Sequence, residues 1–218
     1  MSRRRIGVLA VQGAFAEHVS RLRRLGCDAV ELRRRADALQ TLDGLVLPGG
    51  ESTAQAKLLE DLGMREPLGR LIREGMPVLG TCAGLILLAE TVESTGDGRR
   101  GSAFGNGRDC GMRRARGGAA VPVAGFRTLP VSVLRNGYGR QLGSFVASAP
   151  CRCGRGDTRE ISLVFIRAPR IVSVGPGVET LVSLDGEPVA VRFGNQVGCC
   201  FHPELASDDA LYRAALLS

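Results

Sequence analysis

The run Gly80, Thr81, Cys82, Ala83, Gly84 follows an aliphatic pair, Val78 and Leu79, and precedes a helix-forming stretch, Leu85 to Glu90. A small-residue turn between strand and helix is the nucleophile-elbow pattern, here with cysteine in the nucleophile's place. The tight turn lifts the side chain above the sheet, and the dipole and free amides of a helix N-terminus favour a thiolate there. The Ala83 amide, next after the nucleophile, points where an oxyanion forms in acyl transfer. Taken alone, the same five residues also suit a buried structural cysteine.

A thiol nucleophile needs a base, and the chain has two histidines, His18 and His202. His202 ends an apolar run, Val197 to Phe201, which puts it at a strand's carboxyl edge, as Cys82 is. Glu204, two residues on, falls on the same side of an extended segment stiffened by Pro203. The carboxylate can then accept from one imidazole nitrogen while the other faces the sulfur, the nucleophile, base and orienter arrangement of covalent catalysis. His18 lies in a charged helical stretch and is expected to be solvated. A third strand-end segment, LPGGEST (47–53), offers glycines whose backbone can present amides, with Ser52 or Thr53 as a helix cap. By itself that is a plain capped loop; beside the elbow it supplies a second oxyanion donor.

These segments need a scaffold that brings strand ends together. The first ninety residues alternate aliphatic runs (6–11, 29–32, 45–47, 77–81) with helical patterns (14–24, 53–62, 66–74, and from 83 on). Strand and helix in this rhythm predict a three-layer, doubly wound α/β fold with a mostly parallel sheet and helices on both faces, of flavodoxin-like type. Sites in such sheets form outside the strand carboxyl ends. Short β-type runs follow at 129–134, 162–166, 171–174, 179–184, 187–193 and 197–201, and a helix at about 208–217. Between the two halves, residues 96–127 carry nine glycines and seven arginines against two acids, Asp97 and Asp109. That composition is expected to form a surface insertion in a single domain spanning 1–218, or else a basic arm for an acidic partner.

The 218 residues are 44% hydrophobic and 23% charged, which excludes a disordered chain, and no apolar run nears the length of a membrane span. The net charge of +7 invites a nucleic-acid reading, but all but Lys57 of the 29 basic residues are Arg and aromatics are 4%. Coding bias can produce that skew, and a stacking platform would be poorly supplied, so nucleic-acid binding is not expected. Seven cysteines, at 27, 82, 110, 151, 153, 199 and 200, form an odd and irregular set without zinc-ligand spacing. Reduced thiols in a cytoplasmic protein, with no metal and no cofactor, are the expectation.

In order along the chain, VQGAFAEH (11–18), LPGGEST (47–53), GTCAGLILLA (80–89), RNGYGRQ (135–141), FIRAP (165–169) and FHPEL (201–205) resemble the glutaminase subunits of pyridoxal 5′-phosphate synthases, which are class I, triad-type glutamine amidotransferases. The elbow and the HPE segment are shared across class I enzymes, whereas the other motifs narrow the resemblance to the vitamin B6 branch. It implies that Cys82 attacks the carboxamide of L-glutamine, His202 serves as base and then acid, and Glu204 orients His202. It further implies oxyanion contacts from Gly50 and Ala83, glutamine binding by Gly50, Glu51, Ser52, Arg135, Ile166 and Arg167, and Gln12 at the interface with the synthase subunit that receives the ammonia. Partners would be glutamine and that subunit, in a large hetero-oligomer. A glutaminase subunit of another pathway, a basic binding protein with a vestigial triad, and a redox-sensing thiol protein are the competing readings.

Overall fold

The computed structural model describes residues 3–94, 123–138, 143–153 and 158–217. Most of the 96–127 segment therefore lies outside the described residues, as do Cys110 and positions 139–141 of the RNGYGRQ motif. Its last residues do not belong to a surface insertion: Val123 and Phe126 are buried, and the Phe126 amide donates to the Leu87 carbonyl at 2.6 Å.

The chain runs β1 (Arg5–Leu9), α1 (Phe15–Arg24), β2 (Asp28–Leu32), β3 (Gly44–Leu47), α2 (Ser52–Asp61), α3 (Arg65–Arg73), β4 (Val78–Thr81) and α4 (Ala83–Leu88). Strands β5 (Ala89–Ser94), β6 (Leu129–Arg135), β7 (Ser144–Cys151), β8 (Arg159–Ile166), β9 (Arg170–Val174), β10 (Glu179–Leu184), β11 (Glu187–Phe193) and β12 (Gln196–Cys199) follow. A 3₁₀ turn at Pro203–Leu205 leads to α5 (Ala210–Tyr212), which continues as π-type helix over Arg213–Leu217.

The main sheet has nine strands in the order β2-β1-β3-β4-β12-β11-β10-β7-β8. Its first five strands pair in parallel and the rest antiparallel, so the expected parallel sheet fills one half of a mixed one. Consecutive strands of the first half are joined by long crossovers, as parallel pairing requires, whereas β10, β11 and β12 follow one another through short hairpins and so pair antiparallel. The β10–β11 hairpin turns at Asp185 and Gly186, both at positive φ (51° and 81°), as a two-residue Asp-Gly loop requires. A three-stranded sheet, β5-β6-β9, packs beside it.

Both faces of the parallel half are covered. Gly44, opposite Ile6 across β3 and β1, faces Leu216 of the C-terminal helix, while Gly80 and Gly198, opposite each other across β4 and β12, face Leu88 and Leu85 of α4. One continuous core results, including Ile6, Val8, Leu45, Leu47, Leu79 and Val197 at no more than 1% exposure. Such aliphatic runs, buried on both sides, are why these strands show no alternation in the sequence.

Two elements depart from expectation. The helix after Cys82 stops at Leu88, and Ala89 turns extended (φ −57°, ψ 138°) to begin β5. Strand β7 was not foreseen, because its inward positions include the small residues Ala147 and Ala149 and give little apolar signal. At its end, Cys151 and Cys153 bring their sulfur atoms together, since residues two apart in extended backbone share a side. Cys27, Cys82, Cys199 and Cys200 are free and buried. Among the described residues no helix is long and apolar enough to cross a membrane, and no cluster of side chains is suited to a metal ion.

Candidate active site

The order of the parallel strands reverses between β1 and β3, and the carboxyl ends there open the crevice in which α/β sheets bind ligands. The segments carrying Gln12, Gly50, Cys82 and His202 all leave from those ends.

Cys82 sits immediately after β4 with φ 48° and ψ −100°. Backbone of this kind costs a non-glycine residue about 1–3 kcal/mol, so its surroundings must enforce it. They do so through its amide, which donates to the Cys199 carbonyl at 2.8 Å, and its carbonyl, which accepts from the Ile86 amide at 3.3 Å. Glycine is required at position 84, where a Cβ would lie 1.9 Å from the Leu47 carbonyl oxygen. That close approach seats α4 on β3 and fixes the elbow between them. Cys82 Sγ lies 4.0 Å from the Ile166 carbonyl oxygen.

His202 leaves β12 with its amide donating to Val164 at 2.8 Å, which ties it to β8. Phe201 and Phe165 brace the same junction edge to face at 5.8 Å. Glu204 lies in the 3₁₀ turn rather than in extended chain, because Pro203 at the turn's first position has φ preset for it. The sequence spacing still delivers the contact: His202 Nδ1 and Glu204 Oε1 are 2.6 Å apart. Gly49 makes room for the ring, since a Cβ there would sit 2.4 Å from His202 Cε1. Nε2, buried, faces Cys82 without a regular hydrogen bond. Burial opposes protonation of His202, but Cys82 and then Glu204 outweigh it and raise the pKa from 6.5 to about 10. Burial likewise opposes ionisation of Glu204, and its hydrogen bond with His202 holds the carboxyl below its ordinary range.

The PGGEST loop is capped differently from expectation. Glu51, not Ser52 or Thr53, is the N-cap of α2, accepting from the Thr53 and Ala54 amides at 3.0 and 2.6 Å, while Ser52 is buried in the first turn. The Glu51 amide in turn donates to Gln12 Oε1 at 2.8 Å, so Gln12 stands at the lip of the crevice, against Gly50. Arg135 reaches across to Glu51 at 3.0 Å. These groups close around a cleft of about 280 Å³, into which Gly50, Ser52, Cys82, Ile166, Arg167 and His202 also project. Glu204 stands behind His202, and Ala83 begins α4 behind Cys82. Two larger depressions, on α1 and near Phe126, contain neither cysteine nor histidine.

Three features escaped sequence reasoning. Ile86 and Asn136 line the cleft. His18, expected in solvent, is fully buried behind Glu204, its Nε2 3.4 Å from Glu204 Oε2. The signal was present: Phe15, His18, Val19 and Leu22 fall at i, i+3, i+4 and i+7, so the period that buries the apolar residues buries the histidine with them. Burial is the largest influence on His18 and lowers its pKa to about 4, leaving it neutral.

The two histidines bias stability in opposite directions. The pKa of His202 is raised on folding, so its contribution is complete below about pH 6.5 and lost as pH climbs toward 10. That of His18 is lowered, so its contribution is complete above about pH 6.5 and lost as pH falls toward 4. At about 1.4 kcal/mol per unit, each limb amounts to several kcal/mol at most. Urea midpoints measured across this range should peak near neutrality, and His18→Gln should flatten the acid limb; an unchanged acid limb would contradict the assignment.

A model described as the SNO glutamine amidotransferase family matches residues 8–99 and 117–216. The pyridoxal 5′-phosphate synthase subunit PdxT of Desulfitobacterium hafniense (strain Y51) is 48% identical over 212 residues, covering 97% of this chain and 92% of its own. That of Methanocorpusculum labreanum is 46% identical over 209 residues, covering 96% and 94%. A solved structure titled as a glutamine amidotransferase superposes with a TM-score of 0.77 at 36% identity, covering 97% of both chains.

Proposed function

The chain belongs to the SNO glutamine amidotransferase family, and from that premise we propose that it is the glutaminase subunit of a pyridoxal 5′-phosphate synthase. It hydrolyses L-glutamine to L-glutamate and hands the ammonia to the synthase subunit. The observation that carries this reading is one cleft in which a thiol, a carboxylate-held imidazole and a paired Glu51 and Arg135 meet.

Glu51 and Arg135 carry the charges that an amino acid's own α-ammonium and α-carboxylate would exchange for, so a zwitterion can replace their ion pair. Arg135 suits the carboxylate, because a guanidinium grips one with two parallel bonds. Ser52, Ile166 and Arg167 shape the rest of the pocket, and the side-chain amide is directed to Cys82. The sulfur, its proton held by His202, attacks the amide carbon, and the oxyanion is received by the Gly50 and Ala83 amides. Imidazolium protonates the departing nitrogen, releasing ammonia and leaving a thioester. Water, deprotonated by His202, then attacks the thioester and frees glutamate and the thiol. Glu204 keeps the imidazole in register throughout. Gln12, on the amide that follows Gly50, sits where a docked synthase subunit could adjust the oxyanion loop. A free thiol nucleophile suits the cytoplasm, where thiols are kept reduced.

The test is glutamate release from glutamine with the cognate synthase subunit present, together with covalent trapping by a glutamine-analogue electrophile. Release should rise with the synthase, and the label should fall on Cys82 and be blocked by glutamine. Labelling that glutamine does not suppress would overturn the reading.

A further inference from the structure

Behind the reacting groups lies a second polar layer that the mechanism above does not use. His18 on α1, Thr81 at the end of β4 and Tyr212 on α5 are all completely buried, and Thr81 and Tyr212 meet at His18, which faces Glu204. The Tyr212 hydroxyl is 2.6 Å from His18 Nδ1. His18 Nε2 lies 3.3 Å from Thr81 Oγ1 and 3.4 Å from Glu204 Oε2. The two carboxylate oxygens thus face different histidines: Oε1 is bonded to His202, while Oε2 is buried without a regular hydrogen bond and has His18 Nε2 within 3.4 Å.

Donor and acceptor counting assigns the protons. A carboxylate only accepts, so the nitrogen facing it carries the hydrogen. That leaves Nδ1 bare, and it accepts from the Tyr212 hydroxyl, which burial keeps protonated. His18 itself is neutral in this surrounding. An imidazole with one donor and one acceptor, both committed, has a defined tautomer and ring angle. Helix α1 is in turn fastened to the chain beyond Glu204: Arg21 donates to the carbonyls of Ala206 and Ser207 and pairs with Asp209 at 2.9 Å.

Resting on the glutaminase reading, we propose that His18 is a positioning residue for the reaction: its Nε2–H holds the second oxygen of Glu204, and Tyr212 locks it in the tautomer that can do so. Without that donor the carboxylate is free to turn, and His202 loses its angle to Cys82. The layer also touches the nucleophile's own strand, because Thr81 immediately precedes Cys82. Partners that orient a reacting imidazole from behind are worth about 10- to 100-fold at metal sites, which sets the scale expected here.

The experiment compares wild type, His18→Leu, Tyr212→Phe and His18→Gln in the complex with the synthase subunit. Two quantities are read: kcat and KM for glutamine, and the rate at which iodoacetamide modifies Cys82 at neutral pH, followed on the Cys82 peptide. His18→Leu and Tyr212→Phe should lower kcat by about 10-fold or more with KM within about 2-fold, and slow the modification. His18→Gln, which keeps an N–H donor, should recover most of both. A kcat within about 2-fold of wild type in Tyr212→Phe and His18→Leu, a loss confined to KM, or a glutamine variant as impaired as leucine would overturn the proposal. If His18→Leu does not fold, Tyr212→Phe and His18→Gln decide it. Should wild type release no glutamate, the glutaminase reading falls, while the order of Cys82 modification rates still judges the role of His18.

Discussion

Cys82→Ala should abolish glutamine hydrolysis in the synthase complex, a loss on the order of 10⁵-fold in kcat, while the protein stays folded. Removing a nucleophile eliminates the covalent route entirely, and what remains is catalysis by the oxyanion amides and substrate binding alone. Glutamine should still bind, because Glu51 and Arg135 are untouched. Stability adds a second readout. Cys82 holds φ at 48° with ψ at −100°, a conformation that taxes any residue with a side chain. Cys82→Gly should therefore be as inactive as Cys82→Ala but more stable than it by about 1 kcal/mol, measured by urea unfolding. Turnover by either variant near the wild-type rate would remove the thiol from the reaction.

Glu204→Gln should lower kcat by roughly 10³- to 10⁴-fold, the range in which the third member of a nucleophile, base and acid set acts. The amide fits the space but carries no charge, and it can present its N–H to His202 Nδ1, which favours the wrong tautomer. One of the two groups that raise His202 is then lost, so its pKa should fall below about 10 while Cys82 continues to hold it up. The sign follows directly: the stability that wild type loses as pH rises from about 6.5 to 10 should fall off less steeply over that window in the variant. Near neutrality, where wild type still holds most of that contribution, the variant should be the less stable of the two, because removing one partner leaves the charge of the other unpaired. A variant with wild-type kcat would show that His202 needs no orienter.

The parallel half of the fold was legible because its strands are short, aliphatic and separated by amphipathic helices, a pattern that few architectures satisfy. The mixed character of the sheet was not. Nothing in 179–184 or 187–193 marks strand direction, and only the Asp185-Gly186 hairpin does so, once its turn is recognised. Strand β7 was hidden for a related reason: Ala147 and Ala149 face inward without an apolar signature, and the β7–β8 pairing alone defines them as strand.

Cys82, His202 and Glu204 could be chosen from residue types and spacing because chemistry restricts the options: one cysteine in an elbow, two histidines, and one carboxylate two residues from the candidate base. Residue type misled at His18, where charged neighbours outweighed a helical period that pointed inward, and at Ser52, where a good capping residue stands beside a carboxylate that caps instead.

Local sequence thus determined which groups are competent to react and which turns can carry them, since backbone preference and ionisable chemistry are properties of a few adjacent residues. Only tertiary structure decided that Glu204 stands between His202 and a histidine from the first helix, and that Arg135 reaches Glu51 across a cleft. Those contacts join positions 186 and 84 residues apart, and such distances are closed by packing of the whole sheet, which no short stretch of chain encodes.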